Sequence, residues 1–442
     1  MFYWLGCYQH RNHRFRDRVF PEIAHKHCYA RYEPLSSLLS RINLEKDKLM
    51  PFLLSSKNVF RYLLDYSLCN EQGLKPFQVE AGAFGKNFSL LVSLSSDRKL
   101  LVKQERHWRN GKTANEFFKE WQFHKLLRQF PELSQLSSTV SDVIHFDESN
   151  SIIVYNYLLN YLDLDKFYRK KQTFPALIAT SIGRTLAVLH RTTLDQQKCR
   201  DFICQIQEES PSQFFNPVPR LGRIGPEVFG SIPPDCLKFY VLYQRYESLV
   251  AAVADLTAGW HPCCVIHNDL KLDNILLHEG WEQFTSQGEQ QQGNLIRLID
   301  WERCAWGDPA FDLGTILASY LRVWLDSLVA DPSMGIEESL RLAVTPLKVL
   351  RFSMVALMKA YLENFPAILE HYSDFLQRVV QFAGLALIET IGAFIDYHKY
   401  FGNRSICMLQ VAKSLLCRPE QSITTLFGMT ESELACLNSS PV

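Results

Sequence analysis

The sequence lacks several features that would assign it to a familiar class of protein. Its 47 lysine and arginine residues balance 47 aspartate and glutamate residues, so it has no basic excess of the kind that attracts nucleic-acid phosphates. It has no uncharged apolar run of the roughly 18 residues that a transmembrane helix needs, and the longest apolar stretch, Ala383 to Ile395, is interrupted by Glu389. We therefore expect neither a nucleic-acid partner nor a membrane partner.

The sequence also lacks the marks of a secreted, disulfide-bonded protein. Its 12 cysteines include no Cys-x-x-Cys pair, and a chain of 442 residues can bury a core without disulfides. Met1 to Tyr8 is apolar, but this stretch has no basic n-region and is followed by basic residues from His10 to Arg14, unlike a secretory signal. We expect reduced thiols and a cytoplasmic protein.

Length and composition predict an ordered chain with two core-bearing units. At about 150 residues per domain, 442 residues leave room for two units. Residues 1–33 mix aromatic and basic residues without periodicity, so we expect an irregular, basic N-terminal extension. From Leu35 to Leu68 apolar residues recur at spacings of three and four, which predicts two or three helices.

A stretch around His267 carries the chemistry. An apolar lead-in precedes His267 and Asp269, and Asn274 follows Asp269 by five residues. Further on, a buried-strand pattern ends at Asp300. Phosphoryl transfer requires a carboxylate that accepts or orients the proton of the attacking hydroxyl, and oxygen ligands for a metal ion on the phosphates. Asp269 fits the first role, and Asn274 and Asp300 fit the second.

Three motifs carry a resemblance to a known family: His267-Asn268-Asp269 with Asn274, Asp300-Trp301-Glu302, and Gly307-Asp308-Pro309-Ala310-Phe311-Asp312-Leu313. They resemble the Brenner and metal-binding motifs of the aminoglycoside phosphotransferase and choline kinase-like family. The resemblance implies an α+β, bilobal protein-kinase-like fold. We expect a small antiparallel-sheet N-lobe with leading helices over residues 34–157, a larger and mostly helical C-lobe over residues 158–430, and a tail over residues 431–442.

The N-lobe sequence fits the nucleotide-binding half of such a fold. A turn-rich segment with Gly82 and Gly85 precedes two predicted strands, Phe88–Leu94 and Lys99–Lys103. The glycine segment is not a P-loop, because it lacks the four-residue gap and the serine or threonine after its lysine. The resemblance implies that the hairpin lies over the phosphates of ATP, with Gly82 and Gly85 allowing close backbone approach. It also implies that Lys103 contacts the α- and β-phosphates.

A predicted helix from Thr113 to Phe130 carries Glu116 and Glu120 one turn apart. The resemblance implies that one of these glutamates pairs with Lys103, as in other kinase-like folds. We favour Glu120, because the apolar residues that begin at Phe123 follow it as in the family's pattern. Glu116 remains the alternative.

The apolar strand Ser151–Leu158 marks the expected boundary between the lobes. The resemblance implies that this strand leads to a hinge, where backbone groups around Tyr155 and Tyr157 meet the adenine of ATP. A plain core strand is the alternative that the side chains leave open.

The resemblance implies a role for each residue of the catalytic stretch. Asp269 orients or deprotonates the acceptor hydroxyl, and Asn274 and Asp300 hold Mg²⁺. His267 is a catalytic candidate that braces the loop rather than carrying protons. Lys271 either contacts the γ-phosphate or is a surface lysine, and both alternatives stay open.

Other charged residues near the motifs are expected to be structural or are ambiguous. Glu302 is either a second metal ligand or a solvated acid. His190, at the end of a predicted helix, is expected to be structural. Asp308 and Asp312 are expected to form local turn and helix-cap hydrogen bonds.

The rest of the C-lobe sequence predicts mostly helices. Residues 195–235 are polar and contain prolines, which predicts an irregular excursion near the substrate cleft. The segment from Cys236 to Thr257 predicts one long helix before the catalytic stretch, and residues 340–427 continue as helices.

These features predict an ATP-dependent phosphotransferase that moves the γ-phosphoryl group to a hydroxyl of a small molecule or of a peptide serine or threonine. Asp300-Trp301-Glu302 stands where eukaryotic protein kinases have Asp-Phe-Gly, and no Ala-Pro-Glu segment follows. A regulatory protein kinase is therefore not expected. The alternative function is a nucleotide-binding pseudokinase that acts as a scaffold or regulatory subunit. The sequence identifies neither the acceptor substrate nor the oligomeric state.

Overall fold

The computed structural model describes residues 52–70, 78–81, 86–109, 111–209, 234–285, 295–329 and 333–438. Gly82 and Gly85 lie outside the described residues, as do the predicted extension over residues 1–33, the helices predicted before residue 52, and residues 210–233. What the sequence predicts for these segments stays a prediction.

The chain divides into two compact units. The smaller unit comprises Met1–Leu53 and His107–Lys112, and within it the Trp108 amide donates to the Lys112 carbonyl at 2.8 Å. The larger unit comprises Leu54–Arg106 and Thr113–Val442. The helices and strands of the described residues all lie in the larger unit.

The larger unit begins with helix α1 (Val59–Asp65) and a five-stranded antiparallel sheet. The strands of this sheet are β1 (Gln78–Ala81), β2 (Phe88–Ser93), β3 (Lys99–Gln104), β4 (Val143–Asp147) and β5 (Ile152–Asn156). Their order is β1-β2-β3-β5-β4, so the strand that carries Lys103 lies in the middle. Buried residues alternate with partly exposed ones along β2 and β3, as in a sheet with one face against a core.

Helix α2 (Glu116–Gln129) packs on strands β4 and β5. Its Phe117 shares a buried cluster with Val143, Ile153 and Tyr155. The helix begins at Glu116 rather than at the predicted Thr113, because Asn115 has a φ of 59° and lies outside the helical region.

The remaining elements form a larger, mostly helical part. Its helices are α3 (Leu164–Lys171), α4 (Ala176–Thr193), α5 (Gln197–Glu209), α6 (Pro234–Gln244), α7 (Glu247–Ala258), α8 (Pro309–Asp326), α9 (Ile336–Arg341), α10 (Leu347–Asn364), α11 (Ile368–His371), α12 (Phe375–His398), α13 (Asn403–Cys417), α14 (Pro419–Phe427) and α15 (Glu431–Ala435). Its short strands are β6 (Tyr161–Asp163), β7 (Cys264–Ile266), β8 (Ile275–His278), β9 (Ile296–Leu298) and β10 (Ala305–Gly307). Strand β7 pairs with β10, and β6, β8 and β9 form a small antiparallel sheet. A sheet lobe followed by a larger helical lobe confirms the predicted α+β, bilobal fold class.

Two close helix contacts hold the helical lobe together. Helix α4 packs on α10, and a β-carbon added at Gly183 would overlap the Leu357 carbonyl group. Helix α8 packs on α12, and a β-carbon added at Gly314 would overlap the backbone and β-carbon of Phe382. Because cores are close-packed, neither position has room for a side chain.

Helix α12 is long and apolar enough to cross a membrane by length and hydropathy alone, and 61% of its most apolar window is buried inside the protein. It packs against α8 and α13. A buried core helix meets the same two criteria, so the helix does not identify a membrane protein. The expectation of no membrane partner stays a prediction.

Three segments differ from the sequence predictions. The single helix predicted from Cys236 to Thr257 is wrong, because the chain forms two helices, α6 and α7, with Tyr246 between them at a ψ of 85°. The predicted irregular excursion begins with helix α5. The predicted tail contains helix α15, which begins with a capping box formed by Thr430 and Glu433.

Candidate active site

Strand β7 leads into a tightly bonded turn. The backbone amides of His267 and Asn268 both donate to the Asp312 carboxylate, at 2.7 and 2.9 Å. Asn268 has a left-handed backbone, with a φ of 63°, which asparagine adopts more readily than most residues. Its side chain donates to the Arg303 carbonyl at 3.1 Å. These bonds fix the direction in which Asp269 leaves the turn.

The side chain of Asn274 is bonded to Asp269. Its amide nitrogen donates to the Asp269 carbonyl at 2.8 Å and lies 3.4 Å from the Asp269 carboxylate. Because the amide nitrogen of Asn274 donates to Asp269, the amide oxygen is the atom that can bind a metal ion. The backbone carbonyl of Asn274 accepts from the Ile299 amide at 3.0 Å. Because Ile299 immediately precedes Asp300, this bond places the backbones of the two predicted metal ligands side by side.

Asp300 follows strand β9 with a left-handed backbone, at a φ of 65°. Its carboxylate lies 3.2 Å from Lys103 Nζ. The Lys103 ammonium holds the pKa of Asp300 below its usual value, although burial acts in the opposite direction. Burial would lower the pKa of Lys103, but Asp300 and Glu120 outweigh burial and raise that pKa to about 12. Both partners are therefore ionised at neutral pH.

Glu120 lies within electrostatic reach of Lys103 but does not form an ion pair with it. The glutamate is fully buried and accepts hydrogen bonds from the hydroxyls of Tyr155 at 2.8 Å and Ser141 at 3.3 Å. Burial and the Asp300 carboxylate raise the pKa of Glu120 to about 7, and Lys103 acts against them. The lysine–glutamate pair that the resemblance implies is not formed here, because Lys103 pairs with Asp300.

Glu116 has a different partner. Its carboxylate forms an ion pair with Lys86, the residue that follows the glycine-containing segment. Glu120 is therefore the glutamate that faces Lys103. Glu302 lies near Glu116: burial raises the pKa of Glu302 to about 8, and the Glu116 carboxylate adds to this effect. Glu302 is half-buried beside other carboxylates, which does not match a freely solvated acid.

The side chain of Tyr155 belongs to the lysine cluster. It is buried, and the Lys103 ammonium lies 5.3 Å from the centre of its ring. Its hydroxyl is bonded to Glu120. The side chain of Tyr155 therefore helps to hold Lys103 and Glu120 in place, which is separate from the adenine contact predicted for its backbone.

The backbone around Tyr157 is partly used within the sheet. The amides of Asn156 and Tyr157 donate to the carbonyls of Asp142 and Lys99, each at 2.9 Å. These two donors are therefore not free for an adenine.

Trp301 connects helix α2 with the turn formed by His267, Asn268 and Asp269, which we name the catalytic turn for its predicted role. Its indole stacks on Phe123, with 3.8 Å between ring centres and 8° between planes, and lies 4.4 Å from the His267 ring. Its ring nitrogen donates to the Leu298 carbonyl at 3.1 Å. His267 is fully buried, and its Nε2 donates to the Ile299 carbonyl at 2.9 Å. This placement holds the loop and keeps the imidazole away from solvent.

Three charged side chains surround Asp269, and sequence reasoning missed two of them. Lys271 Nζ lies 3.2 Å from one carboxylate oxygen, and Arg303 Nη1 lies 3.7 Å from the other. Glu389 of α12 is also within electrostatic reach: burial raises its pKa to about 8, Arg303 opposes the rise and Asp269 adds to it. Arg303 directly follows the second motif in the sequence, and this position could have identified it as a candidate site residue. Glu389 has no sequence signal, because only the packing of α12 brings it near.

The aspartates of the third motif hold the surrounding structure. Asp308 caps α8 by accepting from the Ala310 amide at 2.9 Å, and it forms a buried ion pair with Arg378 of α12. Asp312 accepts from the catalytic turn and also lies 3.4 Å from His190 Nε2. Helix capping and loop bracing both match the structural roles expected of these residues.

The donors at Asn274 and Asp300 fit a divalent ion that is shared with a nucleotide. Mg²⁺ is held by one or two protein oxygens and completes its shell with phosphates and water. Asp300 offers an ionised carboxylate, Asn274 offers an amide oxygen, and the cation that faces Asp300 here is the Lys103 ammonium. Among the residues that the structure describes, no three His, Cys, Asp or Glu side chains group to hold a metal ion alone. Two protein oxygens leave the remaining positions of a magnesium shell to phosphates and water.

A sheet whose central lysine meets an aspartate at the edge of a helical lobe is the arrangement of protein-kinase-like phosphotransferases. Sequence comparison agrees with the geometry, since residues 91–335 match the profile of the phosphotransferase enzyme family, APH. The match spans more than half of the chain, and the chain belongs to this family. No curated protein matches the sequence significantly.

Several solved structures resemble this chain. Ethanolamine kinase from Plasmodium vivax has 13% identity over 89% of this chain and 96% of that chain, with a TM-score of 0.48. Amicoumacin kinase hAmiN, in complex with AMP-PNP, Ca²⁺ and Ami, has 13% identity over 82% and 96%, with a TM-score of 0.47. Choline kinase LicA from Streptococcus pneumoniae has 14% identity over 81% and 99%, with a TM-score of 0.36. Similarity at this level does not assign an acceptor.

Proposed function

We propose that this protein is an ATP-dependent phosphotransferase that moves the γ-phosphoryl group to a hydroxyl of a small molecule or of a peptide serine or threonine. The observation that carries the proposal is a set of linked contacts: Asn274 donates to the Asp269 carbonyl, the Ile299 amide beside Asp300 donates to the Asn274 carbonyl, and Asp300 pairs with Lys103. Membership of a phosphotransferase family supports the reaction class.

Lys103 neutralises the α- and β-phosphates of ATP. Its high pKa keeps it cationic at neutral pH, and the phosphates replace Asp300 as its partner. Asp300 and Asn274 would hold Mg²⁺, which would neutralise charge on the phosphates. Glu120 is the buried carboxylate that remains near Lys103 and orients it after the exchange.

Asp269 orients the acceptor hydroxyl and takes its proton. Lys271 and Arg303 contact different oxygens of this carboxylate, and Asn274 adds a third contact, so the side chain is held in one orientation. The acceptor oxygen forms a bond to the γ-phosphorus as the bond between that phosphorus and the bridging oxygen breaks, and ADP leaves. Positioning and fixed charges supply most of the catalysis in such a reaction.

A transfer assay tests the proposal. The protein is incubated with Mg²⁺ and γ-labelled ATP, together with ethanolamine, choline, an aminoglycoside, a free hydroxy amino acid or a serine-containing peptide. We expect a labelled product with one acceptor class and ADP in equal amount. Asp269→Asn should lower product formation about 100-fold or more, while the control Asp255→Asn, at an exposed aspartate of α7, should keep it. Stabilisation by ATP without ADP formation with any acceptor would contradict the proposal and favour a pseudokinase.

A further inference from the structure

Behind the catalytic turn, a chain of buried hydrogen bonds joins three helices. The ring of His190, near the end of α4, lies with Nδ1 3.0 Å from the Tyr361 hydroxyl of α10. Its Nε2 lies 3.4 Å from the Asp312 carboxylate of α8. All three residues are fully buried. A polar group that is buried this deeply destabilises the fold unless its hydrogen bonds are satisfied.

We propose that His190 and Tyr361 are positioning residues for phosphoryl transfer. Through Asp312 they hold the backbone of the catalytic turn, and so set the place of Asp269. The catalytic part of this inference rests on the proposed function, and the structural part does not.

Chemistry fixes the direction of each bond in the chain. A carboxylate only accepts, so the two backbone amides of the turn and the His190 Nε2–H all donate to Asp312. In a neutral imidazole, the other ring nitrogen is then an acceptor, and the Tyr361 hydroxyl donates to it. Burial raises the pKa of Tyr361 well above its usual value, which keeps the proton on the phenol. The chain therefore runs from Tyr361 through His190 to Asp312.

Asp312 depends on this chain for part of its orientation. One of its oxygens, Oδ2, accepts from both the His267 amide and the His190 ring, so movement of the ring alters the oxygen that holds the turn. Without the Tyr361 hydroxyl, the imidazole keeps only one of its two bonds. A misplacement of about 1 Å in a reacting group can cost roughly 100-fold in rate, so even a small shift of the turn should be measurable.

The close contact between α4 and α10 makes the link rigid. A β-carbon at Gly183 would overlap the Leu357 carbonyl and would lie 3.2 Å from the Tyr361 backbone amide. The two helices are therefore in backbone contact one turn before Tyr361. Such a contact leaves little freedom for Tyr361 to move away from His190.

Tyr320 provides a matched control. It is also a fully buried tyrosine, and its hydroxyl lies 3.1 Å from the hydroxyl of Tyr168. Tyr320→Phe removes a buried phenolic hydrogen bond in the same lobe but outside the chain that leads to Asp312.

The test compares Tyr361→Phe with Tyr320→Phe in the full-length protein. Hydrogen exchange is measured on the peptide that contains the amides of His267 and Asn268. We expect faster exchange of these amides in Tyr361→Phe, beyond any change in global stability, and no such change in Tyr320→Phe. In the transfer assay, kcat should fall about 3- to 10-fold in Tyr361→Phe, with KM for ATP within about twofold of the wild-type value.

A second variant keeps the inference testable if the first is poorly folded. His190→Gln retains a donor and an acceptor but not the ring geometry, and we expect it to show the same local exchange. Because the two residues act in one chain, the double variant should be no slower than His190→Gln alone. Equal exchange in wild-type, Tyr361→Phe and His190→Gln proteins would overturn the inference. Absence of turnover in the wild-type protein would instead overturn the proposed function, and the exchange experiment would still decide the bracing role.

Discussion

The ammonium of Lys103 lies 3.2 Å from the carboxylate of Asp300, although 197 residues separate them in the chain. The predicted phosphate-binding lysine and the predicted metal-binding aspartate thus neutralise each other. In the proposed function, the phosphates of ATP would replace Asp300 as the partner of Lys103, and Mg²⁺ would replace Lys103 as the partner of Asp300. Nucleotide binding in the proposed function is therefore an exchange of partners.

Asp300→Asn should separate the binding of phosphates at Lys103 from the binding of Mg²⁺ at Asp300. The variant frees Lys103, so we expect metal-free ATP to bind at least as tightly as in the wild-type protein, while Mg²⁺ no longer improves the affinity. Turnover should fall on the order of 100-fold or more, because a fixed charge at the phosphates is lost. Calorimetric titrations with ATP in EDTA and in Mg²⁺ measure the effect. An undiminished Mg²⁺ effect in the variant would exclude Asp300 as a ligand.

Asp269→Asn should affect the reaction and not nucleotide binding. The amide keeps the size of the carboxylate but cannot take a proton, so we expect kcat to fall about 100-fold or more with KM for ATP unchanged. The melting temperature should stay near that of the wild-type protein. Substantial activity in a purified, folded Asp269→Asn sample would remove Asp269 from the mechanism.

Lys271 and Arg303 form a matched pair around Asp269. Their side chains are equally exposed, at 39%, but their distances from the carboxylate are 3.2 and 3.7 Å. Because the nearer cation orients Asp269 more strongly, we expect Lys271→Met to lower kcat about 10-fold and Arg303→Met to lower it less. Steady-state kinetics at saturating ATP give the comparison. No change in Lys271→Met would identify Lys271 as a surface lysine.

His124 should make the protein sensitive to acid. It is buried with its Nε2 3.1 Å from the Ser141 hydroxyl, and burial lowers its pKa to about 3, against about 6.5 in an unfolded chain. Below pH 6.5 the unfolded state takes up a proton that the folded state does not, so stability falls as the pH falls toward 3. At pH 5 the loss from this residue is about 2 kcal/mol.

His124→Gln should remove that loss. Urea unfolding at pH 7.5 and pH 5, followed by tryptophan fluorescence, measures the free energy of unfolding. We expect the difference between the two pH values to shrink by about 2 kcal/mol in the variant. An unchanged difference would mean that His124 is protonated in the folded state.

Gly183→Ala should destabilise the helical lobe. The new β-carbon overlaps the Leu357 carbonyl, so helix α4 must move away from α10, and we expect a cost of about 2–3 kcal/mol. Gly335→Ala is the control, because the nearest atom to its added β-carbon lies at 3.9 Å and we expect a change within about 0.5 kcal/mol. Equal melting temperatures for the two variants would show that the α4–α10 contact relaxes freely.

The sequence was most informative where a polar residue ends an apolar strand. Asp300 follows a strand pattern and Lys103 ends one, and the structure has strands β9 and β3 at these places. The end of a strand can be predicted from the sequence because alternating or buried apolar residues form a local pattern that stops there. The helix predicted from Cys236 to Thr257 failed for the opposite reason: the break at Tyr246 depends on a backbone angle that no glycine or proline signals.

The choice of partners was not readable from local pattern. Glu116 and Glu120 lie one turn apart on the same helix and are chemically alike, so only the packing of α2 decides that Glu116 pairs with Lys86 and Glu120 faces Lys103. Glu389 lies within electrostatic reach of Asp269 only because α12 packs against α8.

The amino-acid sequence by itself determined which residue types are available for phosphoryl transfer and the order of the elements that carry them. The tertiary structure alone decided which charges meet: Lys103 with Asp300, Arg303 with Asp269, and His190 with Asp312. The reason is physical. Strand and helix patterns arise from interactions between near neighbours in the chain, whereas electrostatic and hydrogen-bond partners are set by distances between side chains that only the packed core brings together.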